Sequence, residues 1–428
     1  MKQRVNTFLA SATLAGLLAA CGAAAPAAAP TTAPADAPTA APADAPTTAP
    51  AAGGAGNTIK IVSSLPRTGS SKAQTDSVVN AIKQRIEEDN NQICGGQFNV
   101  VYEDMDDATA AAGKWDAAQE ASNANKAAAD ADVMIYIGTF NSGAAKISIP
   151  ILNQAGLVMI SPANTYPGLT KPNTGEADEP DKYYPTGVRN YVRVVPADDL
   201  QGAAAANWAN EIGAKKVFVL DDTELYGKGV ADQFVMQAEK NGAEIVGRES
   251  IEGKAADYRA LAAKIVAAAP DMVYYGGITQ NNAGQLVKDI KGEGFTGNFM
   301  GPDGIYEEAF ITAAGDAAEG VYVTFGGIPA EKLTGKAAEW YASYKAKYNG
   351  EPEVYAVYGY EAANVAMNAL NQVCAKDRAK VLAAVTGTKD FSGILGTWSF
   401  DANGDTSLTD MSGAQVKGGK FEYVKPIK

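Results

Sequence analysis

From Asn57 to Tyr423, short β-branched runs alternate with helix-length amphipathic stretches, and this alternation constrains the fold more than any other feature. Thr58–Ser63 reads as a strand. Asp76–Asn90 reads as a helix with Val78, Val79, Ile82 and Ile86 on one face. Phe98–Glu103 is a second strand, followed by a long Ala-rich helix to about Ala131. Val133–Ile137 is the third strand, Ser142–Ala155 a helix and Leu157–Ile160 a short fourth strand. An irregular stretch rich in Pro, Gly and Tyr, Thr165–Gly187, separates this series from a second one. The second has strands near Val192–Val195, Val217–Leu220, Ala243–Ser250, Met272–Tyr275, Phe299–Met300 and Val321–Thr324. Strands separated by helices of about 10–15 residues form parallel βαβ units. Two such series predict two lobes. Helices at Tyr355–Asn371 and Asp377–Val385 follow, and the tail (Trp398–Phe400, then Gln415–Tyr423 around Gly418-Gly419) reads as antiparallel strands and a hairpin.

Ahead of the alternation lie two segments that build no core. Lys2 and Arg4 precede an apolar run from Phe8 to Leu18. That run is too short for a membrane span of about 20 residues but suits a signal-peptide core. It ends in Leu18-Ala19-Ala20-Cys21, which resembles the bacterial lipobox, where the signal is cut before a Cys that is then lipidated. Residues 1–20 are therefore expected to be a lipoprotein signal and Cys21 the lipidation site. From Gly22 to Gly56 the chain is almost wholly Ala, Pro, Thr and Gly, with Pro at every fourth position from Pro26 to Pro50. Proline at that spacing breaks any helix, and nothing there can bury a core. Residues 21–56 read as an extended tether that holds the folded part off a membrane.

Composition removes whole classes of chemistry. The 428-residue chain has no His, which excludes His-dependent triads, a His general base and His-ligated zinc. Its 3 Cys cannot supply a four-thiolate metal site. A formal charge of −13 gives no hint of the basic face that a nucleic-acid binder needs, and so argues against that class. No cofactor and no metal are expected. With Cys21 lipidated, Cys94 and Cys374 remain as an even pair that permits one disulfide or two free thiols. Gly292-Glu293-Gly294-Phe295-Thr296-Gly297 matches G-x-G-x-x-G, but a helix precedes it and a strand follows, the reverse of a dinucleotide site. It reads as a helix C-cap and turn. Asp401-Ala402-Asn403-Gly404-Asp405 starts like a calcium loop, yet its twelfth position is Ser412 rather than Glu, so it reads as a tight turn. Asp198, Asp199, Asp221 and Asp222 could form carboxylate pairs, but their positions favour helix starts and strand-end loops. An amidase built on them would lack a nucleophile with an activating base.

Small polar residues gather instead at the C-terminal ends of strands, where open parallel sheets bind ligands beside helix N-termini. These are Gly138-Thr139-Phe140-Asn141-Ser142-Gly143 and Ser161-Pro162-Ala163-Asn164-Thr165 in the first series. In the second they are Asp221 to Gly227, Tyr274-Tyr275-Gly276-Gly277 and Met300-Gly301-Pro302-Asp303-Gly304. Through IGTFNSGAA, GLVMISPANT, VLDDTELYGKG, DMVYYGGI and NFMGPDG, the chain from about Asn57 to Tyr423 resembles the branched-chain amino acid binding proteins of ABC importers, the Leu/Ile/Val-binding type of periplasmic solute receptor.

The resemblance implies an α/β fold of two Rossmann-like parallel-sheet lobes joined by a multi-crossover hinge, the type I arrangement. The first lobe would hold residues 57–195 and 327–428, the second 196–326. It implies a monomeric extracytoplasmic receptor, not an enzyme, that closes over an amino acid and delivers it to an importer permease. A ligand sensor for a signalling partner is the alternative use of the fold. Ser142 and Thr165 match the family's carboxylate-binding Ser and Thr. Ala163 matches the carbonyl that meets the ammonium, Asp303 stands where the family usually has Glu, and Tyr226 matches a Tyr that closes over the ligand. Gln74 and Ile278 replace aromatics at the side-chain end of the pocket, and Thr165–Gly187 is longer than in the best-known members. These departures leave polar or larger amino acids, short amides and urea-like solutes open beside Leu, Ile and Val.

Overall fold

The computed structural model describes residues 56–428. The signal segment, Cys21 and the tether as far as residue 55 lie outside the described residues.

The first series folds as β1 (Thr58–Leu65), β2 (Gln92–Ile93), β3 (Phe98–Asp106), β4 (Ala108–Thr109), β5 (Lys114–Trp115), β6 (Val133–Gly138) and β7 (Val158–Ser161), and it also takes β8 (Tyr191–Arg193), the strand expected to open the second series, which pairs with β7 instead. Six of these make one sheet in the order β2-β3-β1-β6-β7-β8, parallel except for the short β2. Every residue of β6 and β7 is buried. Unbroken apolar runs of this kind belong to strands covered by helices on both faces. Helices Lys72–Glu88 and Ala356–Val373 pack together on this sheet, with Val78, Ile82, Val365 and Leu370 in one core. Each such aliphatic side chain contributes about 1.5–3 kcal/mol on burial.

The second series supplies β9 (Lys216–Asp221), β10 (Glu244–Ser250), β11 (Met272–Gly276), β12 (Asn298–Gly301) and β13 (Tyr322–Gly326). They pair in parallel in the order β10-β9-β11-β12-β13. The tail adds β14 (Phe391–Gly393) and β15 (Gly396–Trp398), a separate small hairpin, then β16 (Met411–Lys417) and β17 (Lys420–Ile427). The tail hairpin is where the expected one falls, but its placement corrects the lobe boundary. It does not join the first lobe: β16 pairs antiparallel with β13 and extends the second sheet to seven strands. Left alone, β13 would be an open edge, and edges are normally covered. Ala414 and Val416 of β16 are buried there.

A second correction concerns the Ala-rich segment after β3. The chain first makes the β4–β5 hairpin, and the helix begins only at Ala117. Asp116 caps it by accepting from the N–H groups of Ala118 and Gln119, the arrangement that fixes a helix start.

Between the sheets the chain crosses after β8, again after β13 and again ahead of β16, because helices Ala356–Val373 and Arg378–Thr386 lie on the first lobe. Cys94 and Cys374 are bonded, their Cα atoms 5.7 Å apart, which ties the turn between β2 and β3 to the end of a helix distant in sequence.

Candidate functional site

The carboxyl ends of the two sheets face each other across a cleft. On the first lobe, Ser142 is the first residue of helix Ser142–Gln154. Asn141 ahead of it makes no side-chain cap, and while the Ala144 and Ala145 N–H groups donate to its carbonyl, those of Ser142 and Gly143 have no side-chain acceptor. The Ser142 Oγ accepts from the Tyr166 N–H at 3.3 Å. At the end of β7 the Ser161 Oγ accepts from the N–H groups of Ala163 (3.2 Å) and Asn164 (2.8 Å), turning the chain sharply. Arg193, fully buried, donates from one guanidinium nitrogen to the carbonyls of Asn164 (3.2 Å) and Tyr166 (2.8 Å). These bonds bracket Thr165 and hold it in place.

On the second lobe Asp303 follows β12, and Tyr226 sits in the first turn of helix Leu225–Lys240 after β9. Tyr226 and Gln201 both donate to Asp303 Oδ1, at 2.8 and 2.7 Å. Tyr355, at the start of the first-lobe helix Ala356–Val373, donates across the cleft to Asp303 Oδ2. Gly304 has to be glycine: a Cβ there would lie 2.5 Å from the Gly277 carbonyl and 2.8 Å from the Tyr226 ring.

Asp198 stands beside this group. It is fully buried, and neither of its carboxylate oxygens has a hydrogen-bond partner. Burial pushes its pKa well up, and the neighbouring Asp303 charge pushes it further; the Thr165 hydroxyl and Arg193 act the other way. Burial also raises Asp303, opposed by the donors Tyr355, Tyr226 and Gln201. The cleft therefore sets the start of helix Ser142–Gln154 opposite two buried acids, neither of which forms an ion pair among the described residues.

Of the seven predicted ligand residues, the cleft is lined by Ser142, Ala163, Thr165, Tyr226, Ile278 and Asp303, together with Phe140, Asn141, Gly304 and Tyr355. Gln74 is the exception. It is buried in the first turn of helix Lys72–Glu88 with its Oε1 unpartnered, and it does not line this space. The first-lobe aromatic wall comes instead from Phe140 and Tyr355, packed edge to face with centroids 5.3 Å apart. Little room remains between the walls, about 20 Å³, and the Tyr355–Asp303 bond links one lobe to the other. Larger hollows of about 480 and 530 Å³ lie beside the crossings and along β17, but neither sets buried acids opposite a helix start.

Sequence reasoning missed Asp198, Gln201 and Tyr355. The sequence pattern favours Asp198 as a helix cap, yet the cap position is Ala197 and the Asp198 side chain caps nothing. The usable signal was the pair Asp198 and Gln201, three apart and so on one helix face just past a crossing. Tyr355 carried no local signal, because only the tertiary fold brings it to Asp303.

The periplasmic binding protein family profile matches residues 58–420. The chain is 30% identical over 364 residues to Leu/Ile/Val-binding protein homolog 2 of Brucella abortus, spanning 84% of this chain and 91% of that protein. Among solved structures, it is similar to the leucine-binding protein LivK of Thermotoga maritima (TM-score 0.75, 25% identity, 86% of this chain and 99% of that one). It is also similar to LivJ of Streptococcus pneumoniae in complex with isoleucine (TM-score 0.72, 27% identity, 86% and 100%).

Proposed function

This chain belongs to the periplasmic binding protein family, and on that premise we propose that it is the substrate-binding receptor of an ABC importer, with an amino acid as its ligand. The observation that carries this reading is the polarity of the cleft. A free helix start with the Ser142 and Thr165 hydroxyls suits a carboxylate. Five residues of chain beyond Ala197 and Gly301 respectively, Asp198 to Gly202 and Pro302 to Tyr306 carry the two acids Asp198 and Asp303, which suit an ammonium. A zwitterion supplies both charges in one molecule and relieves the desolvation of both acids.

The Ala163 carbonyl and Thr165 also serve the ammonium, while Tyr226 and Tyr355 close over the backbone of the ligand. A ligand that touches both lobes favours the closed population, and the permease reads that state. Ile278 and Phe140 give the rest of the cleft apolar surface, which supports a branched-chain or related side chain. The test is a thermal-shift screen against the twenty amino acids, short amides and urea, since a ligand stabilises the native state by mass action. Stabilisation by an amide or urea and by no amino acid would overturn the reading.

The family places the protein outside the cytoplasm, and among the described residues no helix is long and apolar enough to cross a membrane. The Leu-Ala-Ala-Cys sequence supports a lipid anchor at Cys21 on a monomeric receptor. Cys21→Ser should release the mature protein into the soluble fraction. A wild-type protein without a lipid mass increment would refute the anchor.

A further inference from the structure

The β4–β5 hairpin contributes nothing to the cleft lining, yet it reaches from the first lobe to the second. Its turn sits on the loop after β1: a Cβ on Gly69 would lie 2.1 Å from the Gly113 carbonyl oxygen. The Trp115 ring covers the start of helix Ser142–Gln154 so closely that a Cβ on Gly143 would come within 2.5 Å of it. Held in this way, the neighbouring Lys114 ion-pairs with Glu224 of the second lobe and donates to Asn281 Oδ1 at 2.8 Å.

The acceptors are themselves fixed. Asn281 donates to Asp222 Oδ2 at 2.8 Å, and Asp222 also accepts from the N–H groups of Ile278 (3.0 Å) and Glu224 (3.1 Å). Lys114 thus grips the two second-lobe segments that carry Tyr226 and Ile278. Its side chain is 23% exposed and that of Glu224 16%, so water screens the pair only in part. A pair of this kind is worth more than an exposed one.

We propose that the β4–β5 hairpin is a latch across the cleft, in which Lys114 acts as a positioning residue that touches no ligand, holds the lobes closed and thereby sets how long a solute stays bound. The proposal rests on the reading of the cleft as the solute site, but the latch can be tested without a ligand.

Spin labels at Lys146 on the first lobe and Met236 on the second, both exposed, report the distance between lobes. Without any ligand, Lys114→Ala should shift that distribution toward longer distances, whether or not an amino acid binds. With the best amino acid from the thermal-shift screen, Lys114→Ala should raise the dissociation rate about five- to tenfold and leave the association rate nearly unchanged. Added salt should speed dissociation from the wild type but hardly from Lys114→Ala. Lys114→Glu should be worse than Lys114→Ala, and the exchange of both charges, Lys114→Glu with Glu224→Lys, should recover most of the loss. Unchanged distances and an unchanged dissociation rate in Lys114→Ala would overturn the latch, as would a charge exchange no better than Lys114→Glu alone. If the wild type binds no amino acid while the distances still shift, the ligand reading fails and the latch stands.

Discussion

Arg193 on β8 donates its Nε–H to Asp405 Oδ1 at 2.6 Å, joining the first sheet to the turn that begins at Asp401. Both groups are buried, and Thr170 and Lys171 lie against the same carboxylate. Burial alone would raise the Asp405 pKa, but the Arg193 charge and hydrogen bond, with Lys171, hold it below the usual carboxylate range. The sequence that starts like a calcium loop is in fact a tight turn that presents a counter-ion to Arg193. Arg193 in turn holds the carbonyls on either side of Thr165.

Asp405→Ala should therefore act on both stability and binding. Removing one partner of a buried pair typically costs about 3–5 kcal/mol, because the other charge is left uncompensated. Chemical denaturation should show a loss of that size, and calorimetry should show weaker binding although Asp405 lies outside the cleft lining. The same pair should give acid sensitivity. A lowered carboxylate pKa contributes stability above the unfolded value, and that stability is lost as pH falls through the folded value. A variant as stable as the wild type would remove Arg193–Asp405 as the support of the Thr165 loop.

The parallel α/β plan and the strand-end residues were legible because period and position along the chain encode them. Ser142, Thr165, Tyr226 and Asp303 follow strands directly, so locating the strands locates them. Other features depend on pairing between distant segments. No local pattern tells β16 which edge it will cover, and Tyr355 reaches Asp303 only because helix Ala356–Val373 returns to the first lobe after the chain has built the second. Asp198 failed for a different reason. An acid at a helix start satisfies the capping rule, and only its burial without a partner shows that it serves something else.

Asp303→Ala should be worse than Thr165→Ala for a zwitterionic ligand. The first removes the hydrogen-bonded counter-charge of a desolvated ammonium, at about 3–5 kcal/mol, or roughly two to four decades in dissociation constant. The second removes a neutral hydroxyl bonded to charged groups, at about 1.5–3 kcal/mol. Asp198 remains in Asp303→Ala, so its loss should fall toward the lower end, and Asp198→Asn with Asp303→Ala should bind more weakly than either alone. Isothermal calorimetry on Thr165→Ala, Asp303→Ala, Asp198→Asn and the double variant decides this. Binding by Asp303→Ala within threefold of the wild type would show the ammonium contact to be misassigned.

Binding should also release protons. Burial and the Asp303 charge raise the Asp198 pKa, so the ligand-free acid holds its proton to higher pH than a free carboxyl does. An ammonium placed beside it lowers that pKa again by direct charge attraction. Affinity for a zwitterion should therefore climb as pH rises through the ligand-free value, by at most about tenfold per unit for one group. Calorimetry in buffers of different ionisation enthalpy measures the protons directly. Binding enthalpy independent of the buffer would mean that the acids are already ionised, or that no ammonium reaches them.

A second pair of acids predicts the opposite response for stability. Glu120 and Asp107 are both fully buried in the first lobe. Glu120 accepts from Ser64 at 2.5 Å and Tyr136 at 2.8 Å, but neither oxygen of Asp107 has a partner. Burial raises both, Glu120 to about 7 and Asp107 well above its ordinary value, with the Glu120 charge adding to the rise in Asp107. A raised carboxyl pKa means that the folded state holds its proton more tightly than the unfolded chain. The stabilisation is complete below the unfolded value of about 4.3 and is lost as pH climbs through the folded value. The melting temperature of the ligand-free protein should thus fall between about pH 5 and pH 8. Asp107→Asn keeps the shape and removes one titrating group, so it should flatten that fall and raise stability most at the alkaline end. Thermal melts of both proteins across this range test the assignment, and a wild-type melting temperature that rises with pH while Asp107→Asn follows it in parallel would show that this pair does not govern the response.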